Sequence, residues 1–228
     1  MKHWILVICL GAVGWTNVSL AYDKANLKAL KRTGDCIGCD LSGADLSWLD
    51  LRGSNLSAAD LTRANFAHTK LSGARLRGAN LAGVDLAGMD LTAVDGQEVI
   101  FRGADLTGAS LIGATLAGAN LIDADLSGSD ITGASFINAD LHRVDLSGRD
   151  LRDVLLYEAD FQSANLAGAD LRGVNLGPAV FEKAAINAML LAGVKLASGN
   201  LGGADLTRVD LAGATLVGVD LSGASLAG

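Results

Sequence analysis

The sequence predicts an all-β solenoid, a chain that turns every five residues and lays each coil on the last. Three observations predict it. Counting in fives from Leu41 to Leu226 gives 38 positions, of which 30 are Leu, five are Phe and two are Ile, with Gly96 the one departure. Two residues before each of these runs a second apolar column, Cys39 to Ala224, holding 20 Ala and nine Val. Two residues after the Leu, Gly fills 21 of the 38 positions. Five residues advance an α-helix by about 140° net, which scatters the Leu around the cylinder. On a continuous strand an odd period sends successive Leu to opposite faces. One buried face therefore requires a turn in every unit, which Gly permits because it tolerates positive φ. The coils of such a chain bond to their neighbours.

The elements follow in chain order. Residues 1–21 combine Lys2, an apolar run over 5–13 and the small residues Ser19 and Ala21, the pattern of a secretory signal peptide cut after Ala21. The run is short for the ~20 residues of a spanning helix, so cleavage is favoured over a retained anchor. Bulky Ile8 before Cys9 argues against a lipoprotein cysteine. The mature chain is then expected to be exported, periplasmic or secreted, and free of the membrane.

Residues 22–38 read as an N-terminal cap. DKANLKALKRT at 23–33 has helical character, with Leu27 and Leu30 on one side and Gly34 as a stop. The helix is expected to cover the first coil, with Trp48 and the oversized Leu49 beneath it. Covering an end matters because bare strand edges invite aggregation. Cys36 and Cys39 form a lone CxxC. A disulfide tightening the cap suits an exported chain and is preferred. A thioredoxin-like pair lacks its βαβ context. Zinc lacks a second CxxC, and His68 and His142 are isolated.

Residues 39–228 carry the unit A-(D/N)-L-x-G without a phase slip, with Asp or Asn at 25 of the 38 positions between the two apolar columns. Units such as Ala44, Asp45, Leu46, Ser47 and Ala119, Asn120, Leu121 resemble the pentapeptide-repeat family, over 190 of the 228 residues. The resemblance implies a right-handed quadrilateral parallel β-helix with four units per coil, here with a short N-terminal capping helix. It then implies that residues twenty apart stack. Asp85, Asp105, Asp125 and Asp145 would form one acidic column. Asn55, Arg75, Asp95, Thr115, Ser135, Leu155, Asn175, Lys195 and Thr215 would form a less acidic one. Ile137 and Tyr157 stack on that less acidic side beside Leu155, a candidate partner patch.

Three irregularities stand out. Segment 95–100, DGQEVI, is either a degenerate unit or a five-residue insertion, and an insertion would rotate every later side by one. Arg149 stands in the small inward column, where an unpaired charge is costly. It is expected to force a bulge, or to escape toward Asp150 or Asp153. The C-terminal LSGASLAG shows no comparable cap, and the last coil is expected either to pair end to end with another chain or to lack residues found in longer relatives.

Composition narrows the function. Half of the residues are hydrophobic and only one is Pro, which excludes disorder and collagen. A net charge of −7 argues against nucleic-acid binding, which needs Lys and Arg. No nucleophile, base or metal cluster can be picked out against the repeat's own Asp, so neither an enzyme nor a cofactor is expected. Cation binding along the Asp column lacks the GGxGxD unit. Two readings remain. The chain is a non-catalytic structural or interaction rod of the exported compartment with an unknown protein partner. Alternatively it resembles family members that mimic DNA and protect gyrase, with which an acidic rod agrees and an exported location does not.

Overall fold

The computed structural model describes residues 22–226. The signal peptide expected at residues 1–21 lies outside the described residues. From Asp40 onward, the residue before the inward Leu forms a one-residue parallel bridge with the residue twenty further on, from Asp40 with Asp60 to Asp205 with Ser225, interrupted at five pairs. A coil is therefore twenty residues, and five residues to a side make four sides.

The bonding of one unit shows why five residues suffice. The N–H of Leu41 donates to the Asp60 carbonyl at 2.8 Å, and the N–H of Asp60 donates back to Cys39 at 2.9 Å. Between one side and the next the chain turns, closed by the Ala44 N–H donating to the Leu41 carbonyl at 2.9 Å. The third residue of that turn takes positive φ, 70° at Gly43. Trp48, Arg63, Glu98 and other non-Gly residues adopt it too. Gly spares each turn ~1 kcal/mol or more of strain, so it is favoured there without being required.

The inward columns form one continuous core, with Leu41, Leu46, Leu56, Leu106 and Phe161 fully buried. Each buried Leu contributes ~1.5–3 kcal/mol before entropy is subtracted. Phe161 and Phe181 stack inside it, centroids 4.9 Å apart. Segment 95–100 is a degenerate unit. Asp95 bridges Arg75 on one side and Thr115 on the other, so the step of twenty is kept. A Cβ on Gly96 would lie 2.8 Å from Leu116 Cδ2 and 3.2 Å from Val99 Cγ1, so neighbours fill the missing Leu's space.

The helix α1 spans Lys24–Thr33. Asp23 accepts from the Ala25 N–H at 2.7 Å, and Gly34 ends the helix in the left-handed region. Leu30 is buried in the core, with Leu27 and Tyr22 packed against it. Trp48 is not beneath α1, as had been expected. It stands at an outer corner, 74% exposed, and stacks on His68 with centroids 4.0 Å apart. Leu49 does pack against the core. The solenoid begins earlier than the repeat alone suggests, because Cys36 and Gly38 already bond to Asn55 and Ser57 of the next coil. Toward the last described coil the inward residues lose cover, with Leu221 and Leu226 exposed.

Arg149 takes neither of the carboxylates expected for it. Its guanidinium turns to the preceding coil and donates to the carbonyls of Leu126, at 3.3 Å, and Ser129. Around it the ladder opens. Leu126, Gly128, Ile131 and Gly133 lack their bonds to the next coil, and Asp145 and Asp150 lack theirs back. A second opening separates 64–71 from 85–90, where Met89 occupies the small column. Both lie on one corner of the rod. That corner reads Leu49, Thr69, Met89, Ala109, Ser129, Arg149, Ala169, Met189, Val209, and it gathers six of the small column's nine departures from Ala or Val.

Candidate functional site

The repeat's Asp and Asn are spent on the fold. At 24 of the 25 positions the side-chain Oδ1 accepts the backbone N–H two residues on. This Asx turn presents the one N–H of the unit that the ladder does not use, and Asp and Asn serve it equally. Their interchange in the sequence is the signal that points to this contact. Asp95 is the exception, and its Oδ1 is buried without a partner.

The acidic column is placed accordingly. Asp85 bridges Asp105 and Asp105 bridges Asp125, but the opening around Arg149 leaves Asp125 unbridged to Asp145. Each of the four carboxylates accepts its own turn N–H at 2.9–3.0 Å. The Thr107 hydroxyl and N–H hold Asp105 below the usual carboxylate range, and the Ser147 N–H and hydroxyl do so for Asp145. Asp50 and Asp150 are lowered to about 2, chiefly by hydrogen bonds from Arg52 and Arg152. Among the described residues no group of three or more His, Cys, Asp or Glu is placed to hold a metal.

Cys36 and Cys39 are joined as a disulfide, with Cα atoms 5.5 Å apart. Cys36 holds the Leu position of a unit and Cys39 the following Ala position, so the two flank one turn and both point inward. The Cys36 sulfur also lies 3.4 Å from the Asn26 carbonyl of α1.

His142 is bonded at both ring nitrogens. Its Nδ1 is 2.5 Å from Asp140 Oδ1 and its Nε2 is 2.5 Å from Gln162 Oε1 on the next coil. Asp160 Oδ1 lies at 3.8 Å from Nδ1. Burial disfavours the imidazolium, but the bonds to Gln162 and Asp140 outweigh it, and the pKa is raised.

Two surface grooves coincide with places where the ladder opens. The larger, about 820 Å³, lies at the Met89 opening and is lined by Trp48, Phe66, His68, Thr69, Asp85 and Met89. Nothing in the sequence drew attention to it, because it exists only once residues twenty apart are adjacent. The second, about 410 Å³, brings Ile137, Leu155 and Tyr157 together with Val154, Val174 and Asn175. Leu155 is 55% and Tyr157 40% exposed. The less acidic column runs beside it, bridged from Asn55 to Leu155 and again from Asn175 to Thr215.

The break between Leu155 and Asn175 has a local cause. Pro178 occupies a turn position that demands positive φ, which proline cannot adopt. Gly177 takes φ +52° one residue early, and the Glu158 N–H bonds the Leu176 carbonyl where the register calls for residue 177. The Tyr157 ring lies over Gly177, where a Cβ would come within 2.2 Å of Cε2.

Comparison with known proteins places these features in a family. The family model for pentapeptide repeats matches in 8 copies, from 39–78 through 139–177 and again at 190–228. The chain is similar to HetL, a pentapeptide repeat protein involved in heterocyst differentiation regulation from the cyanobacterium Nostoc sp. strain PCC 7120. Identity is 32% over 89% of this chain and 92% of that one, with a TM-score of 0.51. It is also similar to a pentapeptide repeat protein of the Arabidopsis thaliana thylakoid lumen, at 30% identity over 52% of this chain and 68% of that one, TM-score 0.29. A third likeness is to QnrB1, a plasmid-mediated fluoroquinolone resistance protein, at 21% identity over 75% and 86% of the two chains, TM-score 0.39. Comparison with curated proteins gave no match. The family match and the likeness to HetL imply a right-handed winding for the four-sided coil.

Proposed function

The chain belongs to the pentapeptide-repeat family, and from that premise we propose that it is a non-catalytic interaction rod of the exported compartment, binding a protein partner through an outer side. One observation carries this reading. One oxygen of each repeat carboxylate except Asp95 is held by its own turn, while the side bearing Ile137, Leu155 and Tyr157 offers apolar groups and few charges. Apolar surface on a soluble rod is where association gains most. A DNA mimic needs acidic charge along the side it presents, and from Thr115 to Asn175 the stacked column of this side has none. The signal-like 1–21 segment supports export. Uncovered Leu221 and Leu226 support end-to-end pairing of two chains as a further part of the proposal.

The test is affinity capture from the exported fraction with the wild-type chain and with Tyr157→Ala, alongside N-terminal sequencing of the native protein. Capture lost in the variant and an N-terminus at Tyr22 support the reading. An intact Met1 in cytosol, with protection of gyrase supercoiling from quinolones, overturns it in favour of gyrase protection. Sedimentation at micromolar concentration showing only monomer removes the pairing.

A further inference from the structure

We propose that the gap between residues 154–157 and 173–176 is a binding groove for an extended peptide segment carrying a bulky apolar side chain. The proposal rests on the interaction reading above and gives its site and ligand chemistry.

The first support is the backbone. One coil earlier the ladder is complete, with Phe136 N–H donating to Leu155 O at 2.8 Å and Leu155 N–H to Ala134 O at 3.0 Å. In the next interval the equivalent pair is missing. Leu156 and Asn175 have N–H groups without backbone partners, as do the carbonyls of Val154 and Asn175. Leu155 stands where its counterparts are mostly Asp or Asn, so it has no oxygen with which to hold the Tyr157 N–H. Donors and acceptors thus line one short gap in alternation. Unpaired backbone groups need partners, and an extended peptide supplies both kinds at matching intervals.

The second support is the lining. The floor is formed by Val154, Leu156 and Val174, inward residues that stay buried at 3%, 1% and 7% exposure. Ile137, Leu155 and Tyr157 form the rim. The volume, about 410 Å³, is within the range of ligand pockets. Arg152, the one charged residue in the lining, is held by Asp150 and lies 3.5 Å from Asp170. A carboxylate or phosphate therefore finds no free cation, and a metal finds no cluster of ligands. An apolar side chain flanked by main-chain hydrogen bonds is what remains.

The third support is that the gap is built by sequence. Pro178 prevents the regular turn, Gly177 replaces it, and the Tyr157 ring fills the place of a side chain at 177. Pro178 is the only proline in the chain.

Two substitutions that restore the repeat test this without threatening the fold. Pro178→Gly supplies the residue common at that turn, and Leu155→Asn the residue type common at that position. The experiment titrates isotope-labelled full-length chain with acetyl-Gly-Thr-Phe-Thr-Gly-amide, and with the same peptide bearing Ala for Phe, following backbone amides by NMR. The expected result is saturable shifts at Leu156, Tyr157 and Asn175 with the Phe peptide only. Leu155→Asn loses them. Pro178→Gly loses them while slowing amide exchange at Leu156 and Asn175. Absence of shifts in the wild type, equal shifts with the Ala peptide, or full binding by Pro178→Gly overturns the proposal. If the probe fails yet Tyr157→Ala still abolishes capture of a partner, the groove proposal falls and the broader interaction reading stands.

Discussion

Between residues 100 and 125 the ladder is regular, and between 154 and 176 it is not. In the first region Ile100 bridges Asn120 and Asp105 bridges Asp125, and each Asp or Asn at the repeat position closes its own turn. In the second, Leu155 and Asn175 lie at the same spacing without bridging. The two regions share a period, a core and a coil length. The difference comes from a few residues that defeat the turn or the Asx contact. In a rod made of one rule, backbone groups are left free where the rule fails, since regular units pair theirs within the ladder and the turns.

Phe161 stacks on Phe181 just beyond the gap. Phe161→Ala is expected to cost ~3–5 kcal/mol in chemical denaturation, as large-to-small core changes do. A cost below ~1 kcal/mol would mean that the region near the gap is not packed like the rest.

Arg149 sharpens the comparison next. Arg149→Ala restores the small inward residue and lets the Asp150 N–H regain the Ser129 carbonyl. The expected gain is ~1 kcal/mol or more from recovered ladder bonds, with slower amide exchange at Leu126, Ile131 and Asp145. Faster exchange there would show that the guanidinium holds the coils together.

A smaller effect separates the two kinds of repeat Asp or Asn. Asn120 accepts the Ile122 N–H at 3.1 Å, whereas Asp95 Oδ1 has no partner. Asn120→Ala is expected to cost ~1 kcal/mol, and Asp95→Ala nothing or less than nothing, both by denaturant titration. Equal costs would contradict the assignment of these side chains to the Asx turn.

The smallest effect is that of pH on His142. Its folded pKa is raised above the unfolded value near 6.5. A raised pKa means that the folded state holds the proton more tightly. The stabilisation is complete below the unfolded pKa and is lost as pH rises through the folded one. Imidazole titration by NMR should therefore give a midpoint above 6.5, and Gln162→Leu should lower it. A midpoint below 6.5 would show that burial dominates.

Much of this was legible in the sequence, and the illegible part has a physical reason. The five-residue rule gives the inward columns from Leu41 to Leu226 because burial repeats at that interval. It does not give the number of sides, since the five-residue unit carries no mark of a longer period. The bridges supply that number, and the corner holding Leu49, Met89, Arg149 and Met189 becomes a single feature only then. Arg149 was recognisable as a misfit, but its destination was not, because the Leu126 and Ser129 carbonyls are neighbours only across coils. Ile137, Leu155 and Tyr157 were grouped by stacking. The groove beneath them depends on Pro178, which looked merely rare until its turn position was seen to require positive φ.

Amide hydrogen exchange read residue by residue along the full chain tests the central claim most directly. The account predicts slow exchange at Ile100, Asp105 and Asn120, and fast exchange at Leu156 and Asn175 within the same molecule. Uniform protection across both regions would contradict it.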